Sequence, residues 1–264
     1  MTSQAAPLRI GIAGAQGRMG RAVAAVLEGR DDVRLAAAFD RPGTEGQTVG
    51  DLTLGGLADV AGCDVVIDFA PDVASAELAE FCARAGAPAL VIGSTGWSEG
   101  PDARVRAAAA SVPIVRSGNY SLGVNILAGL VEQVAQRLGP RDWDIEIFEA
   151  HHRRKVDAPS GTALMLGEAA ARGRKVGLPE VEVSGRHGQT GARREGTIGF
   201  SVMRGGGLVG EHSVTFASED EVVTLSHSAR DRSLFARGAL EAALWVAGKP
   251  PGLYDMMDVL GFRS

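Results

Sequence analysis

The chain has 264 residues and a net charge of −5, with 36 glycines. A chain of this length buries about three quarters of its unfolded surface without covalent staples, and its acidic balance gives no electrostatic case for nucleic acid. The glycine count foretells many tight turns and close backbone approaches.

The opening "MTSQAAPLRI" has no apolar h-region, and no stretch is long and apolar enough to cross a bilayer. A cytoplasmic protein with no membrane partner is the default expectation. Cys63 and Cys82 stand alone, with no CxxC and no histidine at metal spacing, so buried thiols are expected, with no disulfide frame and no metal.

"LRIGIAG" (8–14) is a short apolar run ending in glycine, a buried strand. A helix follows, with Gly14, Gly17 and Gly20 three apart at its start and Met19, Val23, Val26 and Leu27 along one stripe. "VRLAAAFD" (33–40) is a second buried strand, closed by Asp40. This is one βαβ unit. Glycines in such a turn let the backbone approach a pyrophosphate, which the helix N-terminus attracts. An acid closing the second strand can hold the ribose hydroxyls. The spacing is GxxGxxG where GxGxxG is usual, and packing of helix on strand is the plainer reading of the glycines alone. Arg41 can pair with a 2′-phosphate, stack on adenine or be an ordinary surface arginine. Asp40 and Arg41 together suggest use of both NADH and NADPH.

Strand and helix then alternate: "CDVVIDFA" (63–70), a helix over 72–85, "PALVIG" (88–93), an alanine-rich helix over 101–111 and "VPIVRSG" (112–118). Such alternation means a parallel sheet covered on both faces, with ligands beyond the strand C-termini. "DFAP" (68–71), "GSTGW" (93–97) and "SGNYS" (117–121) would line that crevice.

The pattern changes in the second half. Residues 124–139 read as an amphipathic helix. "WDIEIFEAHH" alternates, so Trp143, Ile145 and Ile147 share a face with Glu149 and His151. The block "EAHHRRKVDAPSGTA" (149–163) follows, with two imidazoles and three cations; a solvated charged loop is its bland reading. Ser160 can cap a helix, Ala163 at the third position forms no capping box, and Gly161 and Thr162 leave the first N–H groups open to a carboxylate. Strands over 197–206, 209–218 and 221–229 predict an open, partly antiparallel sheet, and 234–249 a closing helix. The basic, glycine-rich 185–196 is a mobile loop or a plain connector. There is no internal repeat or low-complexity tract.

These blocks together resemble the dihydrodipicolinate reductase family nearly end to end: "GIAGAQGRMGR", "VIDFA", "VIGSTGW", "GNYSLGVN", "EAHHRRKVDAPSGTA", "GTIGF", "VGEH" and "GLYDMMDVL". The resemblance implies an α/β fold: a Rossmann-type doubly wound parallel sheet over 1–121, completed by 232–264, and a second α+β domain on an open mixed sheet over 122–231. It implies NAD(P)H-dependent reduction of 4-hydroxy-tetrahydrodipicolinate, with loss of water, on the diaminopimelate route to lysine. By the same resemblance His151 is proton donor or acceptor, Lys155 is proton donor and His152 contacts the cyclic dicarboxylate. Gly161 and Thr162 hold a carboxylate with Ser160 beside them, and Arg232 is a looser match for substrate contact. Gly14, Ala15, Gln16, Gly17, Arg18 and Met19 match the cofactor turn, Asp40 and Arg41 the acid–arginine pair. Gly93, Ser94, Thr95, Ser117, Gly118, Asn119 and Tyr120 match two later cofactor loops. Asp40 stands where Glu is frequent, and Ser94 where Thr is common. A homotetramer built through the second domain's sheet is also implied. Other two-domain reductases, of semialdehyde or homoserine dehydrogenase type, and a nicotinamide-sensing regulator are the competing readings.

Overall fold

The structure is a computed structural model that describes residues 6–85 and 88–263; the reading of residues 1–5 as free of a leader lies outside them. The chain divides into two compact units. One comprises residues up to Leu122 with those from Ser233 on, the other Gly123–Arg232. Each crossing falls one residue later than the motif boundaries, because Leu122 packs into the first unit's core.

In the first unit, β1 (Leu8–Ala13), α1 (Arg18–Leu27) and β2 (Val33–Phe39) form the expected βαβ. A small hairpin, β3 (Thr48–Val49) and β4 (Leu52–Thr53), and a 3-10 helix (Leu57–Gly62) come next. Then follow β5 (Val65–Asp68), α2 (Asp72–Ala85), β6 (Ala89–Ile92), α3 (Glu99–Ala108) and β7 (Pro113–Arg116).

The second unit holds α4 (Leu122–Arg137, its first residue in the other unit), β8 (Asp144–His151), α5 (Gly161–Gly173), α6 (Leu178–Val181), β9 (Glu182–Ser184), β10 (Ile198–Arg204), β11 (Gly210–Ala217) and β12 (Val222–Ala229). The chain then returns to the first unit with α7 (Ser233–Val246), β13 (Gly252–Tyr254) and α8 (Met256–Val259).

The first sheet is parallel throughout, in the order β13-β7-β6-β5-β1-β2. Its strands are apolar on both faces because both are covered. Ile10, Ile12, Val65 and Ile67 pack with α1 and α7. Val66, Leu90, Ile92 and Ile114 pack with α2 and α3. The connection from β1 runs to β2 and that from β5 runs the opposite way to β6, so the topological switch lies between β1 and β5.

The second sheet is mixed, in the order β12-β11-β8-β10-β9, with β8, β10 and β9 parallel and β11 and β12 antiparallel. Ile145, Ile147, Ile198, Phe200, Val214 and Phe216 bury one face under α4 and α5. Gly173 permits close helix contact, since a Cβ there would strike the Glu132 carbonyl. Phe148 lies on the opposite face and is 42% exposed. No helix among the described residues is long and apolar enough to cross a membrane.

Candidate active site

The glycine turn follows β1 directly. Gly14 has φ +71°, the left-handed region that glycine enters without steric cost. A Cβ on Gly20 would strike Gly14 O and the Ala15 backbone, so this glycine serves helix–turn packing. The turn, the end of β2 and the end of β5 enclose a pocket of about 700 Å³, reached by Gly14, Gln16, Gly17, Asp40, Arg41 and Asp68. It sits where doubly wound sheets bind nucleotides. Asp40 does more than wait for a ribose: Oδ2 accepts from Gln16 N at 2.8 Å and Oδ1 from Arg41 N at 2.8 Å. The acid thereby ties β2 to the glycine turn. Arg41 is exposed beside it.

Other candidate cofactor residues lie elsewhere. Ala15 is fully buried, Met19 packs on the core and Arg18 is exposed. Gly93, Ser94 and Thr95 follow β6; Ser117, Gly118, Asn119 and Tyr120 follow β7. None of them lines the 700 Å³ pocket. Ser94 Oγ meets Ser75 Oγ at 3.2 Å. The Tyr120 side chain is a core pin, 2% exposed, its hydroxyl donating to Ile92 O at 2.8 Å and sharing Val115 O at 3.0 Å. Any Tyr120 contact to a cofactor would therefore be through its backbone.

Asp68 opens the "DFAP" segment expected at the crevice, and all four of its residues line the pocket. Asp68 is fully buried, with Oδ1 accepting from Ala70 N at 2.7 Å and Oδ2 without a hydrogen-bond partner among the described residues. Burial, only partly opposed by Ser75 and the Ala70 N–H, pushes its carboxyl up to about 6.

In the second unit β8 delivers His151 at its end, 8% exposed. Its Nδ1 lies 2.6 Å from Glu149 Oε2. Glu149 also accepts from Ser160 N at 2.9 Å and from both Arg204 Nη atoms at 2.7 Å. Burial works against ionisation of Glu149, yet Arg204, His151 and Ser160 together hold its carboxyl below the usual range. Lys155 is partly buried, its Nζ 2.8 Å from Asp157 and its N–H on His152 O at 3.1 Å. Desolvation, then the charges of Arg154 and Arg232, depress His152, so Arg232 is within electrostatic reach of the block. Arg153 and Arg154 are exposed.

Ser160 caps α5 as expected, its Oγ accepting from Ala163 N at 3.1 Å. A Cβ on Gly161 would meet nothing within 4 Å, so the helix start is open there, with Thr162 next. His212 lies in the "VGEH" segment, near the start of β11. Its Nε2 lies 3.2 Å from Ser160 Oγ and its ring packs edge-on to His151 at 5.1 Å. Burial pushes His212 down to about 4, so it is neutral near pH 7. Arg204 had no sequence signal, because its partner Glu149 is distant in the chain and the pairing depends on the β8–β10 register.

No cluster of His, Cys, Asp and Glu among the described residues could hold a metal. The block gathers an imidazole oriented by a carboxylate, a lysine, an open helix N-terminus and nearby arginines, groups of the kinds that exchange protons and pair with anions.

Comparison with known proteins gives a consistent result. The family model "Dihydrodipicolinate reductase, N-terminus" matches residues 8–120, and "Dihydrodipicolinate reductase, C-terminus" matches residues 123–260. A Caulobacter vibrioides protein named 4-hydroxy-tetrahydrodipicolinate reductase is 62% identical over 258 residues, covering 98% of this chain and 99% of its own length. A protein of the same name from Brucella melitensis is 49% identical, covering 96% of this chain and 98% of itself. The solved structure of a dipicolinate-bound dihydrodipicolinate reductase from Paenisporosarcina shares the fold, with a TM-score of 0.77 at 22% identity over 96% of this chain and 98% of that one.

Proposed function

The chain belongs to the dihydrodipicolinate reductase family, and from that premise we propose how its residues carry the reaction. It reduces 4-hydroxy-tetrahydrodipicolinate to tetrahydrodipicolinate, with NADH or NADPH and loss of water, in lysine biosynthesis. That sets aside the semialdehyde and homoserine dehydrogenase readings and the sensor reading.

The pocket beside the glycine turn suits the adenosine half of a dinucleotide. It lies at the switch point, offers backbone at Gly14 and Gly17, and presents Asp40 and Arg41 at the rim where a ribose and its 2′-substituent would sit. Gly14 to Met19, Asp40 and Arg41 hold the adenosine half in this reading. Gly93 to Thr95 and Ser117 to Tyr120 hold the nicotinamide half. When bound, the nicotinamide supplies a hydride. The chain's own residues bind the dicarboxylate and move the proton that the reaction consumes as the hydroxyl leaves as water. Gly161 and Thr162 at the start of α5, with Ser160 beside them, take one carboxylate, and His152 and Arg232 contact the substrate. Lys155 donates a proton, and His151 donates or accepts one.

The observation that carries this reading is the local arrangement of the block. His151 is buried and oriented, Lys155 is held by Asp157, and the helix start beside them is sterically open. Supply of both coenzymes makes the cytoplasm the proposed compartment. A homotetramer assembled through the outer face of the second sheet is the proposed assembly, supported by exposed Phe148, Met203 and Val222 on that face.

The test is oxidation of NADH and of NADPH with the product of dihydrodipicolinate synthase generated in situ. Substrate-dependent oxidation of both coenzymes is expected. A rate no higher than without the synthase would contradict the assignment.

A further inference from the structure

We propose that Glu149 is a positioning residue: it fixes the His151 imidazole in the tautomer that carries its proton on Nδ1, leaving Nε2 as the atom that exchanges protons. This rests on the reading of His151 as an acid–base group.

The argument is a count of donors. Glu149 is 1% exposed, so water does not complete its hydrogen bonding. Oε1 receives Ser160 N–H and Arg204 Nη2; Oε2 receives Arg204 Nη1 and faces His151 Nδ1. Backbone N–H and guanidinium groups can only donate, and an ionised carboxylate can only accept. Nδ1 must therefore bring the proton to its 2.6 Å contact. Arg204 is itself anchored, donating to Asp157 O at 2.6 Å and Met203 O at 2.8 Å, so the carboxylate is clamped between β10 and the loop. On the other side of the ring, a Cβ at Gly210 would come within 3.1 Å of Nε2, and the glycine leaves that nitrogen uncovered. His212 does not compete for Glu149: its Nε2 is engaged by Ser160 Oγ, and its buried Nδ1 has no hydrogen-bond partner among the described residues.

The consequence for Glu149→Gln follows from the same count. The amide NH2 must replace one acceptor oxygen. Of the four donors, only His151 can turn from donor to acceptor: an amide at the Oε1 position leaves both Ser160 N–H and Arg204 Nη2 without an acceptor, whereas at the Oε2 position it leaves only Arg204 Nη1 so, and there it faces His151 and reverses its tautomer. In a serine-protease triad the corresponding amide costs about 10⁴ in kcat through the wrong tautomer.

The experiment has two arms on the intact enzyme. Nitrogen-15 NMR of histidine-labelled protein, with His151 assigned by its loss in His151→Ala, should show a protonated Nδ1 and an unprotonated Nε2 in the neutral ring. The opposite tautomer overturns the proposal, and this arm needs no folded Glu149 variant. In the second arm, Glu149→Gln should reverse the tautomer and lower kcat by roughly 10²–10⁴, with NADPH binding retained. Added to His151→Ala, it should cost little more, because Glu149 acts through His151. Multiplying losses would mean a merely structural role and would overturn the proposal. Near-normal kcat in His151→Ala would instead sink the acid–base reading of His151, whatever the tautomer.

Discussion

Arg41 stands exposed directly after Asp40, and Asp40 is already engaged with the glycine turn. An exposed guanidinium at the pocket rim suits a 2′-phosphate, which it can pair bidentately. Arg41→Ala should raise the KM for NADPH more than that for NADH; equal effects would point to adenine stacking or to no contact. Gly161 allows a cleaner test of the anion site, because a Cβ there meets nothing within 4 Å. Gly161→Val should fold normally and raise the KM for the dicarboxylate by roughly tenfold or more, the worth of one charged hydrogen bond. An unchanged KM would place the carboxylate elsewhere. At this scale His151, Lys155 and Ser160 were legible, because they sit in one contiguous block with a recognisable cap. Glu149's role, Arg204 and His212 were not, because strand register rather than spacing brings them together.

β5 ends on Asp68, and the cost of that ending is readable in pH. The folded carboxyl is pushed up to about 6 by burial, against an ordinary value of about 3.9. A group raised on folding contributes stability that is fully present below about pH 4 and is lost as pH rises through about 6. At 1.36 kcal/mol per unit the loss is about 3 kcal/mol. Asp68→Asn keeps an acceptor for Ala70 N–H and cannot ionise. It should melt roughly 5 °C or more above the parent at pH 8 and level with it near pH 4; an equal shift at both would indicate packing instead. Elements of the parallel sheet were legible as apolar runs closed by Gly, Asp or Ser. The β3–β4 hairpin, β9, α6, β13 and α8 were not, since two to four residues carry no period to read. β13 forms an edge of the first sheet only by pairing with β7, a long-range fact.

For the whole molecule, the proposed reading gives the two units two tasks. The first surrounds a nucleotide-sized pocket, and the second presents the charged block on one face of its sheet and apolar residues on the other. Phe148 is 42% exposed in the single chain, so Phe148→Lys should lower the mass seen by sedimentation if that face joins subunits; an unchanged mass would rule the face out. The α/β class and the first sheet followed from strand–helix alternation and the second sheet from consecutive strand-like segments, whereas the assembly depends on a surface whose partner no local pattern names. The central claim is that His151 and Lys155 handle protons while their charged neighbours do not. It is tested most directly by comparing kcat for four single alanine variants. His151→Ala and Lys155→Ala should each lose roughly 10²–10⁴, with nicotinamide affinity retained because the nucleotide pocket is built from first-unit residues. Arg153→Ala and Arg154→Ala, both exposed, should change it little. Four similar losses, or none, would mean that the block is a solvated charged loop and that the chemistry lies elsewhere.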